Sequence, residues 1–205
     1  MFDKQLQIIL QKPLKYISKK LIQYISANKI SLVGFLFGIL MCISIVINLF
    51  NLSIVFLILN RLLDGIDGSL ARLSHPTPLG SFIDIVFDFL IYSGFVLSFG
   101  IFNENNLLVC SLLLFSYIGT GTTFLARAAI EKKFFFYGQK INYDSKNINK
   151  GLFYTSGLVE GTETIIFMLL CLFAPNYFNL FGSLFFFFCL ITVVSRIYVC
   201  YKELN

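Results

Sequence analysis

Six stretches of this chain, at about 31–50, 52–73, 79–102, 107–130, 152–174 and 178–200, are almost free of charge and approach or exceed the length of a membrane span. A spanning helix needs ~20 apolar residues. In lipid every backbone amide and carbonyl must be satisfied internally, so isolated runs of this kind become helices and not open strands. Composition points the same way: 57% of the residues are hydrophobic and 13% charged, against about 25% charged in a soluble domain. The expected fold class is an all-α integral membrane protein with six transmembrane helices and an N-terminal interfacial amphipathic helix. It forms a single domain over 1–205, divided into an interfacial arm (1–30) and a six-helix core (31–202). No internal repeat is visible. The polar interruption at 134–151 is too short for a second domain and reads as a cytoplasmic loop.

Lysine and arginine placement orients the helices. The turns NLFN (48–51), FNENN (102–106) and APNYFN (174–179) contain neither residue, whereas the N-terminal arm, the 127–150 connection and the C-terminal end hold nearly all of them. The positive-inside rule then predicts both termini on the cytoplasmic side of a bacterial inner membrane. In the arm, Leu14, Ile17, Leu21, Tyr24 and Ile25 form an apolar stripe beside Lys12, Lys15, Lys19, Lys20 and Lys29. That pattern predicts a helix lying on an anionic membrane surface. The arm lacks the continuous apolar run and small-residue cleavage site of a signal peptide. Cys42, Cys110, Cys171, Cys189 and Cys200 all sit in apolar runs without metal-binding spacing, and are read as small hydrophobes. His75, in a polar turn, is read as a bystander, and the phenylalanine clusters at 134–136 and 185–188 as packing or lipid-facing residues.

Against this background the segment RLLDGIDGSLARLSHPTPLGSFIDIVFDF (61–89) is anomalous, because it carries Asp64, Asp67, Asp84 and Asp88 at membrane depth. The first two are three residues apart and the last two four apart, so each pair shares one helical face. Asn60, Asp64, Asp67, Gly68 and Ala71 align on one helix with Arg72 beside them, and Gly80, Asp84 and Asp88 align on the next. The short SHPTP turn makes the two helices antiparallel neighbours, so the acidic faces can meet. Four crowded carboxylates need cations or protons to compensate them. Oxygen ligation without Cys or His favours Mg²⁺ or Mn²⁺. Four acids can hold two such ions, an arrangement suited to displacement at phosphorus. Gly68, Gly80 and Ala71 clear space for a phosphate-bearing ligand, and Arg72 supplies a cation for a diphosphate. One of the four acids can serve as a proton acceptor, and spacing alone leaves open which. A purely structural account, with the acids as caps and partners of Arg61 and Arg72, leaves two acids and the aligned small residues unexplained.

The run Asp-x-x-Asp-Gly-x-x-Ala-Arg, then seven residues, then Gly-x-x-x-Asp-x-x-x-Asp is complete at Asp64, Asp67, Gly68, Ala71, Arg72, Gly80, Asp84 and Asp88. It resembles the signature of the CDP-alcohol phosphotransferase (CDP-alcohol phosphatidyltransferase) family, class I. The resemblance implies a six-helix core with an amphipathic N-terminal helix, often dimeric. It implies Asp64, Asp67, Asp84 and Asp88 as metal ligands, with Asp88 also the general base. Gly68, Ala71, Arg72 and Gly80 would line the CDP pocket. The stretch ANKIS is only weakly similar to the family's Pro-Asn-x-x-Thr entry, so Asn28 and Ser31 are set aside as site residues.

The implied reaction transfers a phosphatidyl group from CDP-diacylglycerol to a small alcohol, releasing CMP, with no nucleic-acid partner. The absence of helices beyond six favours this over a CDP-aminoalcohol donor with a lipid acceptor. For the acceptor, Arg127, Glu160, Glu163 and Arg196 are candidates: the arginines for an acceptor phosphate, the glutamates as acids one turn apart in an apolar helix, or as partners of Arg61. A divalent-cation transporter is the rival class. It calls for acids along the whole bilayer depth, whereas these crowd at one side.

Overall fold

The computed structural model describes residues 13–136 and 157–204, and every regular element among them is helical. Helix α1 covers 13–21. It is followed by α2 (Ala27–Val46), α3 (Phe50–Leu73), α4 (Pro78–Phe102), α5 (Leu107–Phe136), α6 (Gly161–Phe173) and α7 (Phe178–Leu204). Short 3-10 turns at Glu104–Asn106 and Pro175–Tyr177 lead into α5 and α7.

Local chemistry explains the boundaries. Helix α2 closes in a Schellman turn. Asn48 adopts φ 65°, its amide bonds Ile45 O at 3.0 Å, and the Leu49 amide reaches back to Ser44 O at 2.8 Å. Asn tolerates that left-handed conformation better than most residues. Helix α4 starts at Pro78, whose missing N–H costs nothing in a first turn. Thr77 caps it, its Oγ1 accepting from the Gly80 amide at 3.0 Å.

Among the described residues four stretches are long and apolar enough to cross a membrane, Ala27–Val46, Pro78–Phe102, Glu104–Ile130 and Pro175–Lys202, against the six expected of the whole chain. Helix α3 has the length, 24 residues, but concentrates Arg61, Asp64, Asp67 and Arg72 in its C-terminal half. Helix α6 has 13 residues, about 20 Å of helix, short of a hydrocarbon core of ~30 Å. The expected helix over 152–174 therefore begins only at Gly161; 152–156 lie outside the described residues, and Glu160 is extended. Most of the expected 134–151 loop also lies outside the described residues, as do residues 1–12 of the arm, while 134–136 continue α5.

The arm ends earlier than expected, since α2 begins at Ala27 and so includes Asn28 and Ser31. Apolarity alone missed that first turn, because Asn28 and Lys29 are polar yet helix-compatible. Ser18 on α1 is fully buried, its hydroxyl donating to Ile66 O on α3 at 3.3 Å, while Ile17 and Tyr24 of the apolar stripe are exposed on the surface of the bundle.

Helix α2 packs along α3 and α4, α5 along α4 and α7, and α6 against α3 and α7. The core lies where α2, α4, α6 and α7 meet, around Met41, Ile45, Phe95, Phe99, Met168 and Phe178. Phe99 stacks on Phe178, and Phe167 on Phe185, each with ring centroids 4.3 Å apart. The phenylalanine cluster at 185–188 divides, with Phe185 in the core and Phe187 outward. Leu108, Phe115 and Phe173 are also largely exposed, an apolar exterior suited to lipid. Short turns alternate the helix directions, bringing the start of α2, the end of α3 and the start of α4 to one end of the bundle.

Candidate metal and nucleotide site

At that end, Asp64 and Asp67 project from the last turns of α3 and Asp84 from the second turn of α4. One carboxylate oxygen from each lies within 4.8 Å of the other two. Burial is graded: Asp67 is 6% exposed, Asp64 half-buried and Asp84 exposed. Among the described residues no lysine or arginine pairs with Asp67 or Asp84. Three carboxylates thus converge with Arg61 in contact with one of them, Asp64, an arrangement that self-repulsion opposes and a bound cation would relieve. The donors are all oxygen, which suits a hard divalent ion. The small, partly open space between them measures about 20 Å³ and is also lined by Arg61 and Asp88. A single water needs roughly 10–15 Å³, so the space matches one small ion or water.

Asp88 stands apart from this trio. It lies one turn further along α4, where Arg61 donates from NH2 to its Oδ1 at 2.9 Å and the Tyr92 hydroxyl donates to Oδ2 at 3.3 Å. Arg61 is itself fixed by Asn60, whose Oδ1 accepts from Nε at 2.7 Å, and faces Asp64 at 3.7 Å. Asn60 in turn donates to Gly34 O on α2 at 2.8 Å. Arg61 is therefore spoken for, and the suggested pairing with Glu160 or Glu163 does not occur. Its role is visible in retrospect from spacing, three residues before Asp64. Tyr92, four after Asp88, offered the same signal and was missed.

Two of the trio, Asp67 and Asp84, also line a cleft of about 640 Å³. Gly68, Ala71, Arg72 and Gly80 line it with them. A Cβ at Gly68 would stand 3.4 Å from the Arg72 guanidinium, and one at Gly80 would stand 3.1 Å from both Asn28 Oδ1 and Thr77 Oγ1. Both glycines thus keep the walls thin beside polar groups. Asn28 and Ser31, set aside on sequence, line the same cleft, as does His75. The early start of α2 brings the first two there.

Of the acceptor candidates, Glu160 and Arg196 line a separate cavity of about 130 Å³ beyond Tyr92. Glu163 instead closes a capping box: its Oε2 accepts from the Glu160 amide at 3.1 Å, and the Glu160 side chain accepts from the Glu163 amide. The two glutamates are therefore the start of α6, not acids stranded within a helix. Arg127 lies against Cys200 Sγ at 3.9 Å, outside that cavity.

A helical membrane bundle with an acidic cluster beside an open polar cleft defines a class, and sequence comparison names it. Residues 24–198 match the CDP-alcohol phosphatidyltransferase family, to which this chain belongs. The chain is also 39% identical over 186 residues to the inner membrane protein YnjF of Escherichia coli (strain K12), covering 88% of this chain and 85% of that protein. The family's members are membrane phosphotransferases of phospholipid synthesis. They transfer a phosphatidyl group from a CDP-alcohol and depend in general on divalent metal.

Proposed function

We propose that this protein transfers the phosphatidyl group of CDP-diacylglycerol to a small alcohol, releasing CMP. The observation that carries this reading is the convergence of Asp64, Asp67 and Asp84, two of which also line a cleft that Arg72 borders. In this reading those aspartates would hold Mg²⁺ or Mn²⁺, which would supply charge neutralisation and Lewis acidity to the diphosphate. Asp88 completes the acidic set and is the general base. Gly68, Ala71 and Gly80 leave room for the CDP moiety, and Arg72 pairs with its phosphates.

Asp88 accepts the proton of the acceptor hydroxyl. A carboxylate offers about four lone-pair sites, and Arg61 and Tyr92 occupy two of Asp88's, which orients it while leaving capacity for a proton. The acceptor oxygen forms a new ester bond to the phosphorus bearing diacylglycerol, the bond from that phosphorus to the CMP oxygen breaks, and CMP leaves beside Arg72. The acceptor enters the cavity lined by Glu160 and Arg196, with Glu163 fixing Glu160 and Arg127 lying outside it. The site faces the cytoplasm, with both termini on that side, where water-soluble CMP departs and the acyl chains stay in lipid. The chain is one catalytic domain, and a homodimer is its proposed assembly.

The test is CMP release by purified protein in detergent, supplied with CDP-diacylglycerol, Mg²⁺ and one acceptor at a time. Acceptor-stimulated release that EDTA abolishes and Mg²⁺ restores is the expected result. Full activity in EDTA would remove the metal from the reading.

A further inference from the structure

Asp88 is held by a chain of hydrogen bonds that begins two helices away. The Gly34 carbonyl of α2 accepts from Asn60 Nδ2 at 2.8 Å, and Asn60 Oδ1 accepts from Arg61 Nε at 2.7 Å. Arg61 NH2 then donates to Asp88 Oδ1 at 2.9 Å. Tyr92 closes the far side, its hydroxyl accepting from Arg61 NH1 and donating to Asp88 Oδ2, both at 3.3 Å. Asn60 is 3% exposed, so water has little access to replace either of its bonds. Gly38 leaves room for the amide: a Cβ there would stand 3.3 Å from Asn60 Nδ2 and would run into the Ile91 side chain.

The first links can run only one way. A carbonyl accepts and never donates, so Gly34 turns the nitrogen of the Asn60 amide towards α2 and leaves its oxygen for Arg61. A guanidinium is a planar fork, and holding Nε together with the terminal nitrogens fixes its plane. That plane matters because two acids compete for the fork. Asp64 lies 3.7 Å from NH1 on the same helix, while Asp88 lies across on α4. Without the Nε bond the fork can pivot towards Asp64, and Asp88 loses the partner that orients it. We infer that Asn60 is a positioning residue for the transfer reaction: its amide, aligned by α2, holds Arg61 in the plane that serves Asp88 and thereby aims the base. The inference rests on the transferase reading, in which Asp88 takes the acceptor proton. The bland account makes Asn60 a polar tie between α2 and α3, which would act on stability alone.

Asn60→Leu keeps the side-chain volume and removes both bonds, and Asn60→Ser keeps a polar group. Both are expected to fold, with kcat for CMP release reduced about 10- to 100-fold, the usual loss when the support of a reactive group is removed. KM for CDP-diacylglycerol should stay within about twofold, because Asn60, Arg61, Asp88 and Tyr92 lie outside the lining of the donor cleft. Arg61→Lys, which has no Nε, should lose a similar factor. Adding Asn60→Leu to it should then change kcat by less than about twofold further, since Asn60 acts through the group already lost. Two losses that multiply, a fall in Tm with kcat unchanged, or failure of both Asn60 variants to fold would make Asn60 a structural tie and overturn the inference. If the unsubstituted chain releases no CMP with any acceptor, the transferase reading fails, and a measurement that needs no turnover decides this one. The chain has four arginines, so NMR with isotope-labelled arginine side chains gives few Nε–H signals, and Arg61 is assigned by its loss in Arg61→Lys. That signal is expected to exchange slowly with solvent and to lose its protection in Asn60→Leu. Fast exchange in the unsubstituted chain, or protection that survives Asn60→Leu, overturns the inference.

Discussion

Replacing Arg61 by glutamine removes the cation that Asp88 and Asp64 share. Arg61 is 15% exposed and Asp88 30%, and their contact is 2.9 Å; the Asp64 contact is longer at 3.7 Å, with that carboxylate 37% exposed. Breaking a fully buried pair by removing one partner costs about 3–5 kcal/mol. Asp88 keeps some access to water and Asp64 more, so the Asp88 pair dominates and the loss falls to roughly 2–3 kcal/mol. For a chain of this size that corresponds to a drop of about 5–10 °C in apparent Tm. The informative assay is a double-mutant cycle by thermal denaturation in detergent, using Arg61→Gln, Asp88→Asn and both together. Each single change strands a charge, whereas the double change leaves two amides able to bond each other. The double variant is therefore expected to be more stable than the sum of the singles predicts, by at least ~1.5 kcal/mol of coupling. Additive losses would show that Arg61 contributes through its aliphatic stem alone, and the charge-pairing argument for Asp88 would fall with them.

Asp84→Asn keeps the shape of an exposed side chain, so the protein should insert and melt as before while CMP release drops on the order of 10³-fold; wild-type turnover would refute the metal assignment. Gly80→Ala places a Cβ 3.1 Å from Asn28 Oδ1 and Thr77 Oγ1. It should raise KM for the CDP donor several-fold with little change in Tm, and an unaltered KM would mean the nucleotide lies elsewhere. Thr77→Ala removes the cap on α4 and should cost about 1 kcal/mol in denaturation experiments; no loss would mean water replaces the hydroxyl.

Much of the bundle was legible because lipid leaves the backbone few choices, so length and apolarity locate helices well. They failed where a helix end is decided by a few polar atoms. The start of α6 depends on the reciprocal bonds of Glu160 and Glu163, and in a hydropathy reading the two acids look like charges inside a span. The start of α2 was missed for the opposite reason, since its first turn is polar and lies outside any apolar run. At the site, the i, i+3 and i, i+4 spacings of the aspartates carried the convergence of Asp64, Asp67 and Asp84. Spacing within one helix could not reveal that Arg61 reaches across to Asp88 on α4. Nor could it reveal that Tyr117 and Arg196, far apart in the chain, line one cavity.

Helix α1 touches the bundle at the acidic segment of α3. Leu14 covers Gly65, at 3.1 Å from where a Cβ would stand, and Ser18 bonds the carbonyl of Ile66. Gly65 and Ile66 are the two residues between Asp64 and Asp67. The residue that lets Leu14 settle is thus also the spacer that sets the pitch between two acidic side chains. A shortened chain beginning after residue 21 would keep every acid of the site, yet it would bare to the interface the one stretch of backbone on which their spacing is built.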